Sequence, residues 1–193
     1  MYTKMLVTGG ARSGKSRYAQ ELAKELSPEG RVLYVATAKV WDEEMAVRVR
    51  KHQESRPASC DTYEGYQDLG AVIAARGEQY ETILVDCLTM LLNGRLFDEI
   101  GMQDPDTLTK QQKKELEEMA VKEAQALADG IQKAHCHVIV VTNEVGMGIV
   151  PDTVLGRLFR DMAGRANQIL AGALSDVTLM VSGIPVYVKG GRK

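Results

Sequence analysis

Gly9-Gly10-Ala11-Arg12-Ser13-Gly14-Lys15-Ser16 follows the spacing G-x-x-x-x-G-K-[ST], in which each residue type has a task on a polyphosphate. Glycine lets the main chain approach phosphate oxygens in conformations that a side chain forbids. Successive amide N–H groups and the positive end of a following helix hold the anion. Lys15 is expected on the β- and γ-phosphates and Ser16 on Mg²⁺, with Arg12 a mobile cation beside them. Downstream, Thr82-Ile83-Leu84-Val85-Asp86 is an apolar run ending in an acid. After a phosphate loop this reads as a Walker-B-type segment, with Asp86 as a second metal ligand. The competing reading is an acid that caps the next turn.

Other residues have chemistry but less context. His52 falls three and seven residues after Val49 and Met45, on one helical face, among Arg50, Lys51 and Arg56. A neutral imidazole is a competent nucleophile near pH 7, yet a histidine on an apolar helix face also serves plain packing. Asn143-Glu144-Val145-Gly146-Met147-Gly148-Ile149-Val150-Pro151 places glycines and a carboxylate after a strand. His135 and His137 flank Cys136, but no fourth ligand is apparent, so a structural or surface role is expected. Cys60, Cys87 and Cys136 are odd in number and widely spaced. They suggest neither a disulfide framework nor a zinc site, and a reducing cytoplasm is the expected compartment.

These residues need strands and helices to place them. Lys4 to Thr8 reads as a buried strand and Ser16 to Leu26 as the helix after the loop. Ser27-Pro28-Glu29-Gly30 is a turn. Arg31 to Ala36 is a second buried strand, ending in the small residues Thr37 and Ala38, at the sheet edge where ligands bind in open α/β folds. A helix is expected from near Asp42 to Arg56, where Pro57 stops it. Thr62 to Glu64 is a short strand, and Gln67 to Arg76 a helix with Gly77 as its stop. Leu88 to Phe97 reads as helical, and Asp98 to Thr107 as a loop or mobile lid. Thr109 to Lys133 is a long amphipathic helix with Leu116, Ala124 and Leu127 along one face. His137 to Thr142 is a fourth strand, and Asp152 is placed to cap a last helix running to about Leu174. Asp176 to Val181 and Pro185 to Lys189 form a terminal hairpin around Ser182-Gly183-Ile184. Strands alternating with helices predict an α/β fold of the P-loop NTPase type. Its sheet is mostly parallel, flanked by helices, with an antiparallel C-terminal hairpin.

The 193 residues suit one domain, 1–193, with a sizeable core. Apolar content of 45%, charged content of 26% and a net charge of -2 are ordinary for a globular chain. They give no sign of a nucleic-acid partner. No apolar run reaches membrane-spanning length, and the chain enters its first strand without room for a signal peptide.

Taken in order, the motifs resemble one family along the whole chain: the bifunctional adenosylcobinamide kinase / adenosylcobinamide-phosphate guanylyltransferases of cobalamin biosynthesis. The residues carrying the resemblance are Thr8 to Ser16, Tyr34 to Ala38, and Asp42 to Met45 with Arg48, His52, Arg56 and Pro57. They continue with Asp86 to Thr89, Thr142 to Pro151, Arg160-Asp161, Gly164-Arg165, Asn167-Gln168, and Ser182-Gly183 near Lys189. The phosphate loop alone is generic, whereas the Asn143 to Pro151 run is far more specific.

The resemblance implies two reactions. A nucleoside triphosphate, GTP or ATP, phosphorylates the aminopropanol hydroxyl of adenosylcobinamide. GMP then passes from GTP to that phosphate through a GMP-histidine intermediate, releasing pyrophosphate. The family's histidine falls on His52, with Lys15 as its catalytic companion. Nucleotide contacts implied by the resemblance are Gly9 through Ser16, Ala36, Thr37, Ala38, Gln53, Glu54, Ser55, Arg56, Glu64 and Asp86. Which acid reads guanine stays open. Two departures stand out: Ser59-Cys60 replace a His-Trp pair common in relatives, and Asp86 stands where some carry Glu. Relatives assemble as homotrimers, so a homo-oligomer is implied. Two alternatives are a P-loop small-molecule kinase without the guanylyl step, and a nucleotide-dependent interaction module switching through Asp98 to Thr107.

Overall fold

The structure is a computed structural model and describes residues 2–39, 43 and 60–191; elements are numbered over these. Its strands are β1 (Lys4–Gly9), β2 (Val32–Ala36), β3 (Asp61–Glu64), β4 (Thr82–Asp86), β5 (His137–Val141), β6 (Asp176–Val181) and β7 (Ile184–Lys189). The helices are α1 (Lys15–Glu25), α2 (Leu69–Arg76), α3 (Leu88–Ile100), α4 (Lys110–Lys133) and α5 (Val154–Ala173), with a 3-10 turn at Pro105–Thr107. One sheet orders the strands β3-β2-β4-β5-β1-β6-β7. Every pair is parallel except β6 with β7, as expected for a mostly parallel sheet with an antiparallel end.

The central strands are apolar at consecutive positions because both faces are covered. Leu6, Leu33, Val35, Ile83, Val85, Val138 and Val140 point into a core shared with α2, α3, α4 and α5. Their neighbours Met5, Val7, Val32, Tyr34, Leu84, Ile139 and Val141 point the other way, onto Ala19, Leu22 and Ala23 of α1. Helix α2 crosses α4 with backbones almost touching. A Cβ on Gly130 would lie 2.1 Å from the Gly70 carbonyl oxygen, and one on Gly70 would lie 2.1 Å from that of Ala126. Lys4 is buried, and its Nζ donates to the carbonyls of Ala134 (2.8 Å) and Cys136 (2.7 Å) at the end of α4.

Several boundaries differ from the sequence reading, each for a local reason. Helix α2 begins at Leu69 rather than Gln67, because Asp68 has φ 50° and cannot belong to a right-handed helix. Gly77 does end α2, but with φ -57°. Glycine is needed there because a Cβ would meet the Ala134 Cβ and His135 N at 2.9 Å. Helix α3 continues past Phe97 to Ile100, so Asp98 is helical rather than part of a lid. Its carboxylate accepts from Lys39 Nζ (2.9 Å) and from Tyr66 Oη (3.1 and 2.9 Å). This contact pulls the Asp98 carboxyl below its ordinary range. Helix α5 is capped by Thr153, whose hydroxyl accepts from Gly156 N at 3.1 Å, rather than by Asp152. Asp152 instead offers its carbonyl to Arg157 at 2.7 Å. Thr109 caps α4 in a reciprocal box with Gln112. Apart from Glu43, the helix expected from Asp42 to Arg56 lies outside the described residues.

Candidate functional site

The phosphate loop joins the carboxyl end of β1 to α1. Gly14, at φ 91°, is the N-cap of α1, and no side chain caps that end, so the first-turn N–H groups are open to an anion. Gly9 is required sterically. A Cβ there would lie 2.6 Å from the Met180 carbonyl and 2.8 Å from Ser13 Oγ. The Ser13 hydroxyl fills the space left free and, like that of Thr8, is buried with no partner among the described residues. The loop is braced from the far side: Gly183 N donates to the Ser13 carbonyl at 3.0 Å. Gly183 belongs to the two-residue turn of the β6–β7 hairpin, where Ser182 and Gly183 have φ 51° and 86°, the left-handed pair that a tight hairpin demands.

Lys15 is 7% exposed and folds over the loop, its Nζ donating to the Gly10 carbonyl at 2.6 Å. Burial lowers its pKa, opposed by Cys87 and Asp86. The Cys87 thiol is itself pushed up to about 11, by burial first and then by the Asp86 charge. It is therefore neutral at pH 7, and Asp86 is the carboxylate that faces the ammonium. A half-desolvated ammonium on a phosphate loop gains strongly from an arriving anion.

Strand register gathers the predicted acids. Ala36 is the register partner of Glu64 on one side and of Asp86 on the other, and Asp86 pairs with Val141. Ala36, Glu64 and Asp86 thus form one row along the carboxyl edge. Asp86 lies two strands from β1 and Glu64 four strands, about 10 Å and about 19 Å at normal strand spacing. Asp86 is therefore the nearer of the two acids to the phosphate loop, and Glu64 stands at the far side of the sheet.

Several residues that the sequence reading named hold the site through contacts it did not foresee. Tyr34, only 2% exposed, donates its hydroxyl to Asp86 Oδ2 at 2.7 Å. It sits two residues before Ala36 on the same face of β2, which strand alternation alone would have suggested. Thr37 Oγ1 accepts from Cys87 N (2.8 Å) and donates to the Cys87 carbonyl (2.7 Å), locking the ends of β2 and β4 together. A second polar chain binds β5 to α5 and α3. Thr142 donates to Asn167 Oδ1 (2.7 Å), Asn167 Nδ2 donates to the Asn143 carbonyl (3.2 Å), and Asn143 Nδ2 donates to Thr89 Oγ1 (2.9 Å). Nothing in the sequence pairs residues 25 positions apart in this way.

His52, Gln53, Glu54, Ser55 and Arg56 lie outside the described residues. His137 is structural, its Nδ1 accepting from Thr3 N at 2.9 Å. Among the described residues no group of three or more His, Cys, Asp or Glu could hold a metal ion. The oxygens of Ser16 and Asp86 nevertheless suit Mg²⁺, which takes few protein ligands and completes its shell from phosphates and water. No helix among the described residues is long and apolar enough to cross a membrane.

Residues 5–188 match the family described as cobinamide kinase / cobinamide phosphate guanyltransferase. The chain is 45% identical over 185 residues to the bifunctional adenosylcobalamin biosynthesis protein CobU of Escherichia coli (strain K12), covering 96% of this chain and 99% of that one. It is 44% identical to the protein of the same name in Salmonella typhimurium, with the same coverage. It is 37% identical to the bifunctional adenosylcobalamin biosynthesis protein CobP of Pseudomonas aeruginosa, covering 96% of each.

Proposed function

The chain belongs to the cobinamide kinase / cobinamide phosphate guanyltransferase family, and on that premise we propose that one triphosphate pocket on the carboxyl edge of its sheet serves both reactions. It is a transferase of cobalamin biosynthesis, a kinase and a nucleotidyltransferase together. The observation carrying this is the match over 5–188, with the phosphate loop seated between β1 and α1 as its chemistry requires.

In the first reaction the aminopropanol hydroxyl of adenosylcobinamide attacks the γ-phosphorus of GTP or ATP, and the nucleoside diphosphate leaves. Lys15 and the open N–H groups of α1 hold the phosphates while charge shifts toward the leaving oxygen. Ser16 and Asp86 would hold Mg²⁺, which would offset the negative charge of the triphosphate. Tyr34 fixes the orientation of Asp86 for that task. In the second reaction His52 attacks the α-phosphorus of GTP and pyrophosphate departs. A phosphate oxygen of adenosylcobinamide phosphate then attacks the same phosphorus and releases the imidazole, leaving adenosylcobinamide-GDP. Splitting one transfer into two displacements is what an activated nucleophile provides. Ala36, Thr37, Ala38, Gln53, Glu54, Ser55 and Arg56 complete the nucleotide contacts, and Glu64, the acid not committed to the metal, accepts the paired N–H groups of guanine.

We place the enzyme in the cytoplasm, where its triphosphates are, as a homo-oligomer, a trimer by resemblance to its relatives. Supporting association, edge strand β7 exposes Ile184, Val186, Tyr187 and Val188 by 45% to 65%, an apolar edge that natural sheets seldom leave uncovered.

Labelled GTP separates the steps. Label from the α-position should appear on the protein in acid-labile form and vanish in His52→Ala. Label from the γ-position should reach adenosylcobinamide. An α-label adduct that survives His52→Ala removes the histidine mechanism, and γ-transfer alone reduces the chain to a kinase.

A further inference from the structure

Three carboxylates lie along the carboxyl edge of the sheet, and the nucleotide accounts for only two of them. Asp86 is engaged by Tyr34 and faces Lys15. Glu64 stands on the outermost strand. The third, Glu144, follows β5, which runs between Asp86 on β4 and the loop on β1. Its backbone N donates to the carbonyl of Gly9, the first residue of the loop, at 2.9 Å. One side-chain oxygen accepts from Gly146 N at 2.6 Å, which fixes the carboxylate against its own turn. Among the described residues no cation pairs with it.

The support behind Glu144 is stiff. The two residues before it, Thr142 and Asn143, are held by Asn167 and Thr89. An unpaired carboxylate beside a triphosphate is repelled by it, so Glu144 is a poor ligand for the nucleotide. It is well suited to a neutral hydroxyl that must lose a proton as it attacks phosphorus. The same loop continues into Met147, Ile149 and Val150, exposed by 81%, 95% and 61%, a wall for a bulky acceptor rather than for a phosphate.

We infer that Glu144 takes the proton from the substrate hydroxyl in the kinase step, an assignment resting on the family reading above. As the alcohol oxygen forms its bond to the γ-phosphorus, its O–H proton passes to the Glu144 carboxylate. The bond from that phosphorus to the β,γ-bridging oxygen breaks, and its electron pair leaves with the nucleoside diphosphate. Glu144 later releases the proton to water. GMP transfer uses an acceptor that is already a phosphate and needs no such base.

Glu144→Gln keeps an oxygen for the Gly146 N–H and removes only the proton-accepting charge. With the purified full chain, phosphorylation of cobinamide and GMP transfer to separately prepared cobinamide phosphate are measured in parallel. The ratio of kinase to transferase turnover should fall on the order of 100-fold, with KM for the triphosphate little changed. Equal losses in both reactions, or a kinase turnover reduced less than about threefold, overturn the assignment. The transferase rate doubles as the test that the variant folds. A wild-type chain inert in both assays overturns the family reading, and this inference with it.

Discussion

Asn167 lies outside the phosphate loop, yet its loss should be felt in the segment that carries Glu144. Its amide accepts from Thr142, a fully buried hydroxyl (0% exposed), at 2.7 Å and donates to the Asn143 carbonyl at 3.2 Å. Asn167→Leu removes both bonds. Stranding the Thr142 hydroxyl costs about 1–3 kcal/mol, and loss of the second bond about 0.5–1.5 kcal/mol. Apolar burial of the leucine returns part of this, leaving a net loss of about 2–3 kcal/mol. Thr142→Val deletes the hydroxyl and leaves only a half-buried amide oxygen unpaired, which should cost about 1 kcal/mol. In the double variant the stranded hydroxyl no longer exists, so the combined loss should fall short of the sum by about 1–2 kcal/mol. Urea unfolding of the two single variants and the double variant measures this coupling. Kinase turnover of Asn167→Leu should fall while KM for GTP holds, because the loop carrying Glu144 loses its anchor but the phosphate loop does not. Additivity within about 0.3 kcal/mol, or an Asn167→Leu loss below about 0.5 kcal/mol, would refute the argument that this chain of hydrogen bonds positions the loop.

Gly130→Ala should destabilise the fold by about 1–3 kcal/mol, since its Cβ would lie 2.1 Å from the Gly70 carbonyl oxygen; a midpoint in urea equal to that of the wild type would show that α2 and α4 do not cross so closely. His137 has its pKa lowered from 6.5 by burial, then by Lys4 and the N-terminus. The unfolded chain therefore binds a proton that the native chain resists, and stability should fall as pH drops through 6.5 toward the folded value. His137→Asn, which keeps an acceptor for Thr3 N, should flatten that part of the stability curve between about pH 8 and pH 5; an unchanged slope would assign the acid sensitivity elsewhere.

The phosphate loop, the strand ending in Asp86 and the mostly parallel sheet were legible in the sequence because each rests on local rules. Glycine spacing, apolar runs and turn residues act over a few positions, so they can be read off in order. Helix ends were less legible: Asp68 and Thr153 settled where α2 and α5 begin through dihedral and capping geometry that neighbouring candidates could have supplied equally well. Gly77 was a correct stop for a different reason, a backbone 57 residues away in sequence.

Spacing by itself marked a phosphate loop between a strand and a helix of an α/β sheet, and the order of the motifs marked the family. Only the tertiary structure decided that Tyr34 holds Asp86, that the hairpin turn at Ser182-Gly183 braces the loop, and that Asn167 secures the segment bearing Glu144. These contacts join residues far apart in the chain and acquire meaning only when strand order and register bring their ends to one edge. A linear pattern records which groups are present; the direction in which each hydrogen bond points depends on the packing around it.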